Sequence, residues 1–387
     1  MEKVAEERLD FDVVVIGASS AGLFAAELLA KKGRRVSVVE RSPIIDPEER
    51  TYIITPGLYR VMPDITAEII SQEIDCFQLQ SQQAQVDINL SSPDLIIERT
   101  VLMPLLVSRA KSAGVTILNS CEFIGFVTRQ GETLVQVKKD GSLCYLSANF
   151  LIGADGVTSA VRKKAGLDPV PSVPLLQAEV ELPEGWNPRM TKVWFDVADT
   201  PYFYWLIPRN DHKSVVGLIG EQGEDVQRLL NDFLAKHGFI PVSFQSGQAA
   251  MHAQNITWKS QVGDLPILLV GDAAGQVKVS TVGGTVTGFG GAIDVVRMIL
   301  GTKPQKGRMR VKKELDLHLL IRRLLDQMAP GDYASLIEML TPQVMNFLSR
   351  HDRDSMRSHF WKLTIIQPGF IPLGLKLLTR SIFGPKR

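Results

Sequence analysis

Cysteine is scarce and scattered: Cys76, Cys121 and Cys144 are the only three in 387 residues, and no C-x-x-C pair occurs. That spacing argues against a disulfide framework, a paired-cysteine zinc site and an iron–sulfur cluster, and it fits a reducing cytoplasm. The six histidines form no metal-like pair. His252 reads as a hydrogen-bonded structural residue rather than a ligand. No apolar run of about 18–20 residues appears, so no membrane-spanning helix is expected. The opening residues are acidic (Glu2, Glu6, Glu7, Asp10) and lack the apolar stretch of a secretory signal. Net charge is only +1, yet residues 301–387 hold 16 Lys/Arg against 7 Asp/Glu. This basic region reads either as a solvated helical face or as a surface drawn to anionic lipid head groups. The tail from Leu363 onward interleaves apolar residues with cations, and Pro368, Gly369, Pro372 and Gly374 interrupt it. It is too broken to span a bilayer, and either lies on one or packs on the body of the protein. The basic residues are not interleaved with stacking aromatics, so nucleic acid is not an expected partner.

What the chain does have is glycine in ordered places. Asp12–Ile16 (DVVVI) reads as a central parallel strand. Gly17, Ser19, Ser20, Ala21 and Gly22 form the following turn, Leu23–Ala30 a helix, and Val36–Val39 a second strand ending at Glu40. Glycines for the turn, a helix N-terminus for pyrophosphate and an acid about 20 residues on for ribose hydroxyls make a βαβ dinucleotide fingerprint. The middle glycine is replaced by Ser19, which is expected to hold the phosphate slightly further from the backbone. A second strand-then-turn unit is Pro266–Val270 followed by Gly271 and Asp272, then a loop with Gly283, Gly284 and Thr285. An acid there can hold a polyol such as a ribityl chain, and small residues let the backbone approach a flat ring. Between them lies Phe150–Ile152, then Gly153, Ala154, Asp155 and Gly156, with Ser159 and Arg162 a helical turn apart.

Three motifs in this order resemble the glutathione-reductase-type FAD proteins of the aromatic hydroxylase and geranylgeranyl reductase kind, over roughly residues 10–300. The resemblance implies an α/β fold: a Rossmann-type FAD-binding domain built from residues 10–45, 95–165 and 255–300. An antiparallel-sheet substrate domain (46–94 and 166–254) and a helical basic region (301–387) complete it. It implies FAD as cofactor, with Arg99 at the flavin and Phe123 near the adenine. Residues 225–237 and much of 306–360 are expected to be helical.

Phe203–Pro208 (FYWLIP), followed by eight residues and then Gly217, resembles the geranylgeranyl reductases' Tyr-x-Trp-x-Phe-Pro box, with Phe203 and Ile207 departing from it. It is also similar to a Trp-x-Trp-x-Ile-Pro box of flavin-dependent halogenases. Halogenases need a lysine after the second strand, and no lysine occurs from Gly33 to Ala110. The loop Gly271–Gly284 resembles the reductases' GDAAGQVKPTTGGG, with Val279 for proline and Val282 for glycine, changes that put its geometry in question. The expected activity is therefore reduction of a prenyl chain, with Phe203 and Trp205 walling the substrate. The catalytic acid is not identified; Tyr52 and Tyr204 are candidates by type. Where related reductases carry a Cys-Gly pair, this chain has Arg50–Leu58 without cysteine, which resembles the loop of aromatic hydroxylases. A monooxygenase acting on an aromatic or lipid substrate, or a non-catalytic flavin- or lipid-binding protein, are the alternatives. No second dinucleotide fingerprint exists, so NAD(P)H docking transiently or a redox protein would supply electrons.

Overall fold

Val13, Val14 and Val15 have no solvent exposure, as a strand covered on both faces requires. The computed structural model describes residues 8–45, 48–303 and 311–383. The chain opens with β1 (Arg8–Ile16), α1 (Ser20–Ala30) and β2 (Val36–Val39). It leaves for a second sheet through β3 (Thr51–Ile54), α2 (Leu58–Val61), β4 (Ile70–Gln80) and β5 (Gln85–Glu98). Helix α3 (Arg99–Ser112) leads back to β6 (Thr116–Leu118), β7 (Cys121–Arg129), β8 (Glu132–Lys139), β9 (Ser142–Gly153) and α4 (Ala160–Lys164). A second excursion follows: β10 (Ser172–Glu181), β11 (Met190–Trp194), β12 (Tyr204–Pro208), β13 (Lys213–Ile219), α5 (Val226–His237) and β14 (Pro241–Ala250). The chain returns with β15 (Lys259–Val262), β16 (Leu265–Leu269), a 3₁₀ turn (Gly271–Ala274) and α6 (Thr285–Leu300). Helices α7 (Val311–Leu325), α8 (Pro330–Glu338), α9 (Pro342–Ser349), α10 (Phe360–Ile366) and α11 (Phe370–Phe383) close it.

The first sheet runs β15-β16-β9-β1-β2-β6, with β7 and β8 joined to the antiparallel side of β9. Strands β16, β9, β1, β2 and β6 are mutually parallel. Alternation divides the core: Val13 and Val15 pack with α1, α3 and α6 through Leu23, Leu102 and Phe289. Val14 and Ile16 pack on the other face with Val135, Val137 and Val161. Each such side chain contributes about 1.5–3 kcal/mol by leaving water. A fully buried acid on α1, Glu27, is held by Arg109 of α3 at 2.9 Å.

The second sheet runs β14-β10-β13-β12-β11-β4-β5-β3. It is antiparallel except at β4–β11, which pair parallel. That seam joins the two excursions, which share no hairpin to impose antiparallel order. Among the described residues the C-terminal region is helical, as expected. The proline- and glycine-interrupted tail is helical: Pro368 and Gly369 separate α10 from α11, and Pro372 falls in the first turn of α11, where a missing N–H is harmless. No helix among the described residues is long and apolar enough to cross a membrane.

Candidate active site

The fingerprint glycines bring three backbones together. Gly17 has φ +96°, and a Cβ on it would lie 2.6 Å from the Ala154 carbonyl oxygen. A Cβ on Gly22 would meet the Ala154 side chain at 2.7 Å. The N-terminus of α1 is thereby pressed against the ends of β1 and β9. Ser19 does not crowd this space: its Oγ accepts from the Gly22 amide at 3.2 Å and caps α1. With no acid in the first turn of α1, Ser20 and Ala21 begin a helix whose free amides and dipole favour an anion. Glu40 accepts from the amides of Ala18 and Ser42, both at 2.9 Å. Two amide bonds leave acceptor capacity on this carboxylate for a diol.

Asp155 serves a local cap. Its oxygens accept from Ser159 Oγ at 2.6 Å and the Val161 amide at 3.0 Å. Burial pushes the carboxyl up despite these bonds. Arg162 is buried and donates to the carbonyls of Asp168 at 2.6 Å, Thr257 at 2.9 Å and Ala273 at 3.2 Å. The third motif thus ties the end of β9 to the Asp272 turn.

Asp272 has two faces to its environment. Burial drives its carboxyl above the ordinary carboxylate range, with only Arg50 opposing, yet its surface is open to solvent. Both hold if protein atoms surround the carboxylate while one side stays open to solvent, as in a cleft. Among the described residues no hydrogen bond reaches its carboxylate. Gly284, the N-cap of α6, lies beside it: a Cβ there would be 3.7 Å from Asp272 Oδ1. Gln276 braces the turn by accepting from the Gly271 amide at 2.7 Å. Gly291 leaves room for it, since a Cβ there would come within 2.1 Å of Gln276 Oε1. Val282, which stands where the resemblance has glycine, adopts φ +50°. The loop keeps the glycine-like backbone at a cost of roughly 1–3 kcal/mol.

The cleft is also lined from β3. The Arg99 amide donates to the Arg50 carbonyl at 2.8 Å. Tyr52 between them is half-buried; burial raises its phenol, while Arg99 and Arg50 work against that and Asp272 adds to it. Arg50 reaches the Ser246 carbonyl at 3.2 Å, and a Cβ on Gly247 would lie 2.4 Å from its guanidinium. Sequence reasoning quoted Arg50 without assigning it; its only signal was a cation directly before a β-branched strand. Phe123 sits elsewhere, buried in the cluster under β1 and β9 and edge-on to Phe126 at 5.3 Å.

A second feature missed from sequence is a buried ionic clasp. Lys278 of the glycine loop pairs with Asp354, which also accepts from Thr55. Lys278, Asp354 and Thr55 are all buried. Burial acts to raise the Asp354 carboxyl, but Lys278, Thr55 and Arg353 outweigh it and hold it below its ordinary range. Arg353 in turn pairs with buried Asp94 of β5. Asp352 accepts from Arg60 at 3.1 Å.

On the second sheet, Trp205 and Ile207 share a cluster with Val279 and Val282 of the glycine loop, and Phe203 packs against it. Trp205 lies directly opposite Gly217 across β12–β13. A Cβ on Gly217 would lie 2.4 Å from the indole. The spacing from Pro208 to that glycine therefore has a physical cause: only a bare backbone leaves space for the ring. The Trp205 indole nitrogen is buried without a hydrogen-bond partner.

The FAD binding domain family matches residues 10–300 of this chain. The chain belongs to that family. It is 26% identical over 372 residues to digeranylgeranylglycerophospholipid reductase 2 of Methanothermobacter thermautotrophicus, covering 88% of this chain and 94% of the relative. Among solved structures, a geranylgeranyl bacteriochlorophyll reductase-like protein from Thermoplasma acidophilum superposes with a TM-score of 0.78 at 16% identity, covering 95% of this chain and 100% of the other. The anhydrotetracycline hydroxylase OxyS from Streptomyces rimosus shares the fold with a TM-score of 0.59 at 18% identity, covering 88% and 75%. This protein is an FAD-dependent oxidoreductase, similar to these geranylgeranyl-type reductases.

The residues at this cleft fit an FAD: a helix N-terminus without acid in its first turn, an Asp272 carboxylate with no hydrogen bond among the described residues, and glycines where backbones converge. One candidate acid drops out. Tyr204 points away from the glycine loop, under α5, with its ring stacked on Phe233 at 3.9 Å. Its hydroxyl donates to Asp199 at 3.1 Å, and burial pushes the phenol far above its usual range. Gly217→Val is expected to displace Trp205 and lower stability by about 1–3 kcal/mol, as overpacking does. The protein should keep its flavin absorbance, and thermal unfolding of the yellow variant checks the figure.

Proposed function

We propose that this oxidoreductase saturates double bonds of a prenyl, geranylgeranyl-type lipid chain. The observation that supports the reading best is the apolar cluster in which Trp205 and Ile207 meet Val279 and Val282. It sets an aromatic wall against the loop assigned to the flavin. In this proposal residues 10–45, 95–165 and 255–300 hold FAD, 46–94 and 166–254 hold the substrate, and 301–387 form a helical basic region. The α1 amides at Ser19–Gly22 take the pyrophosphate and Glu40 a ribose. Asp272 takes the ribityl chain, Gly283–Thr285 the ring, and Arg99 and Arg50 the remaining charge. Phe123 supports the adenine side from below.

When bound and reduced, FAD supplies a hydride to one alkene carbon. An isolated alkene has no electron-withdrawing group, so the other carbon must receive a proton as the hydride arrives, with water excluded. Trp205, Phe203 and Ile207 exclude that water and align the chain. Tyr52, the remaining candidate with a phenol in the cleft, is proposed to release the proton. Tyr52→Phe is expected to keep flavin binding and to slow reoxidation by prenyl lipid about 10²-fold, measured in single turnovers. Electrons are proposed to come from NAD(P)H docking transiently or from a redox protein.

The rival is a monooxygenase, favoured by the cysteine-free segment Arg50–Leu58. One experiment separates them. The protein is reduced anaerobically, a polyprenyl lipid is added, and flavin reoxidation and product mass are followed. A gain of two hydrogens without oxygen supports reduction. Oxygen-dependent turnover with a gain of one oxygen atom would sink it.

A further inference from the structure

We propose that α10 and α11 form a foot that seats the enzyme on an anionic lipid surface. In α11, Ile371, Leu375, Leu378 and Ile382 are between 42% and 70% exposed. Their steps of four, three and four residues place them on one helical face. Leu373 and Leu377 point the opposite way and pack with Met328 and Tyr333. The outward ridge is thus a second apolar face on a helix whose core face is already satisfied. Trp361 and Ile365 of α10, also exposed, recur at the same four-residue spacing, and an indole suits a bilayer interface.

Two ion pairs keep the ridge turned outward. Lys376 and Arg380 of α11 both hold the buried carboxylate of Asp332 on α8, the lysine at 2.6 Å. Rolling the ridge inward would break both and strand that acid.

Charge selects the occupant. After Asp354 the sequence contains no Asp or Glu; Lys376 and Arg380 are engaged by Asp332, while Arg357 and Lys362 bring further cations beside Trp361. A two-fold pairing of copies would set this patch against itself, bringing Arg357 and Lys362 toward their own copies with no Asp or Glu beyond Asp354 in the sequence to meet them. An anionic bilayer surface accepts both the apolar ridge and the cations.

The foot also adjoins the substrate wall. Ring centroids run Trp205–Phe203 at 6.0 Å, Phe203–Phe195 at 6.4 Å and Phe195–Tyr333 at 4.7 Å. Tyr333 lies in the cluster under α11. This packed row of rings links the foot to the substrate wall, and a prenyl chain drawn from the bilayer is proposed to follow its half-buried members Phe195 and Phe203 toward Trp205. This route rests on the prenyl-lipid reading above; the seating itself does not.

The test uses full-length holoprotein and flotation with phosphatidylcholine vesicles, with or without about one quarter phosphatidylglycerol. The expected result is at least a roughly tenfold larger bound fraction on the anionic vesicles, lost to a similar extent in Leu375→Glu/Leu378→Glu. The double variant, altered only at exposed positions, should keep its flavin and its turnover of detergent-dispersed polyprenyl lipid, and lose turnover of vesicle-embedded lipid. The proposal is overturned if the wild type ignores anionic vesicles, if the double variant still floats, or if light scattering finds a dimer that the substitutions convert to monomer. Flotation as expected without hydrogen gain in detergent would instead overturn the prenyl-reductase reading and leave the seating intact.

Discussion

Asp272→Ala is expected to give a folded protein that binds FAD about 10–10²-fold more weakly and is purified nearly colourless. The magnitude follows from losing hydrogen bonds to a charged acceptor, worth about 1.5–3 kcal/mol. Two observations separate this from an unfolding effect. No protein hydrogen bond among the described residues depends on the carboxylate. Burial also raises its pKa, so at neutral pH the ionised group opposes folding and its removal should leave the melting temperature unchanged or higher. Asp272→Asn, with the same shape and one carbonyl acceptor, should fall between. Fluorescence titration of the apoprotein with FAD, beside a thermal melt, checks both halves; a colourless variant that also melts early would refute the cleft assignment.

Asp354→Ala is expected to cost about 3–5 kcal/mol, because it leaves the Lys278 ammonium buried without its counter-ion. Lys278→Met/Asp354→Leu should recover most of that loss, since an apolar pair of similar size is often neutral or better. Urea unfolding of the single and double variants reads the difference. The pH dependence has a definite sign. The folded carboxyl is held below its ordinary value, so its contribution is complete above about pH 4, the unfolded value. It is lost as pH falls through the lower folded value. Asp354→Ala should therefore lie well below the wild type at neutral pH and converge with it in acid.

The fingerprint at Gly17–Gly22 and Glu40 was legible because its parts are local: one turn, one helix and one acid within a single βαβ unit. Trp205 and Gly217 were legible as a spacing, although the reason emerges only from their cross-strand pairing. Alternation along β12 requires Tyr204 and Trp205 to point to opposite faces. Both faces are buried, so no polar contrast tells which one α5 covers, and Tyr204 survived as a candidate until its partners were seen. Arg162 read as part of a cofactor motif; its carbonyl partners span Asp168 to Ala273 and follow no sequence period. The clasp was illegible for the same reason. Thr55, Lys278 and Asp354 come from three separate segments, and their pairing is fixed by how α7–α9 return to the glycine loop. The helical C-terminal region and its interruption were both legible from proline and glycine near Gln367, and the break falls between α10 and α11.

The clasp sets an order of events during synthesis. Its parts emerge from the ribosome in the sequence Thr55, Lys278, Asp354, and early domains can fold while later ones are still being made. A nascent chain displaying everything through α6 has Lys278 without its counter-ion. Tight retention of the dye-like cofactor is thus expected only after the segment following α9 has been translated. Pulse-labelled nascent chains arrested before and after Asp354, compared for flavin fluorescence quenching, would reveal whether loading waits for that aspartate.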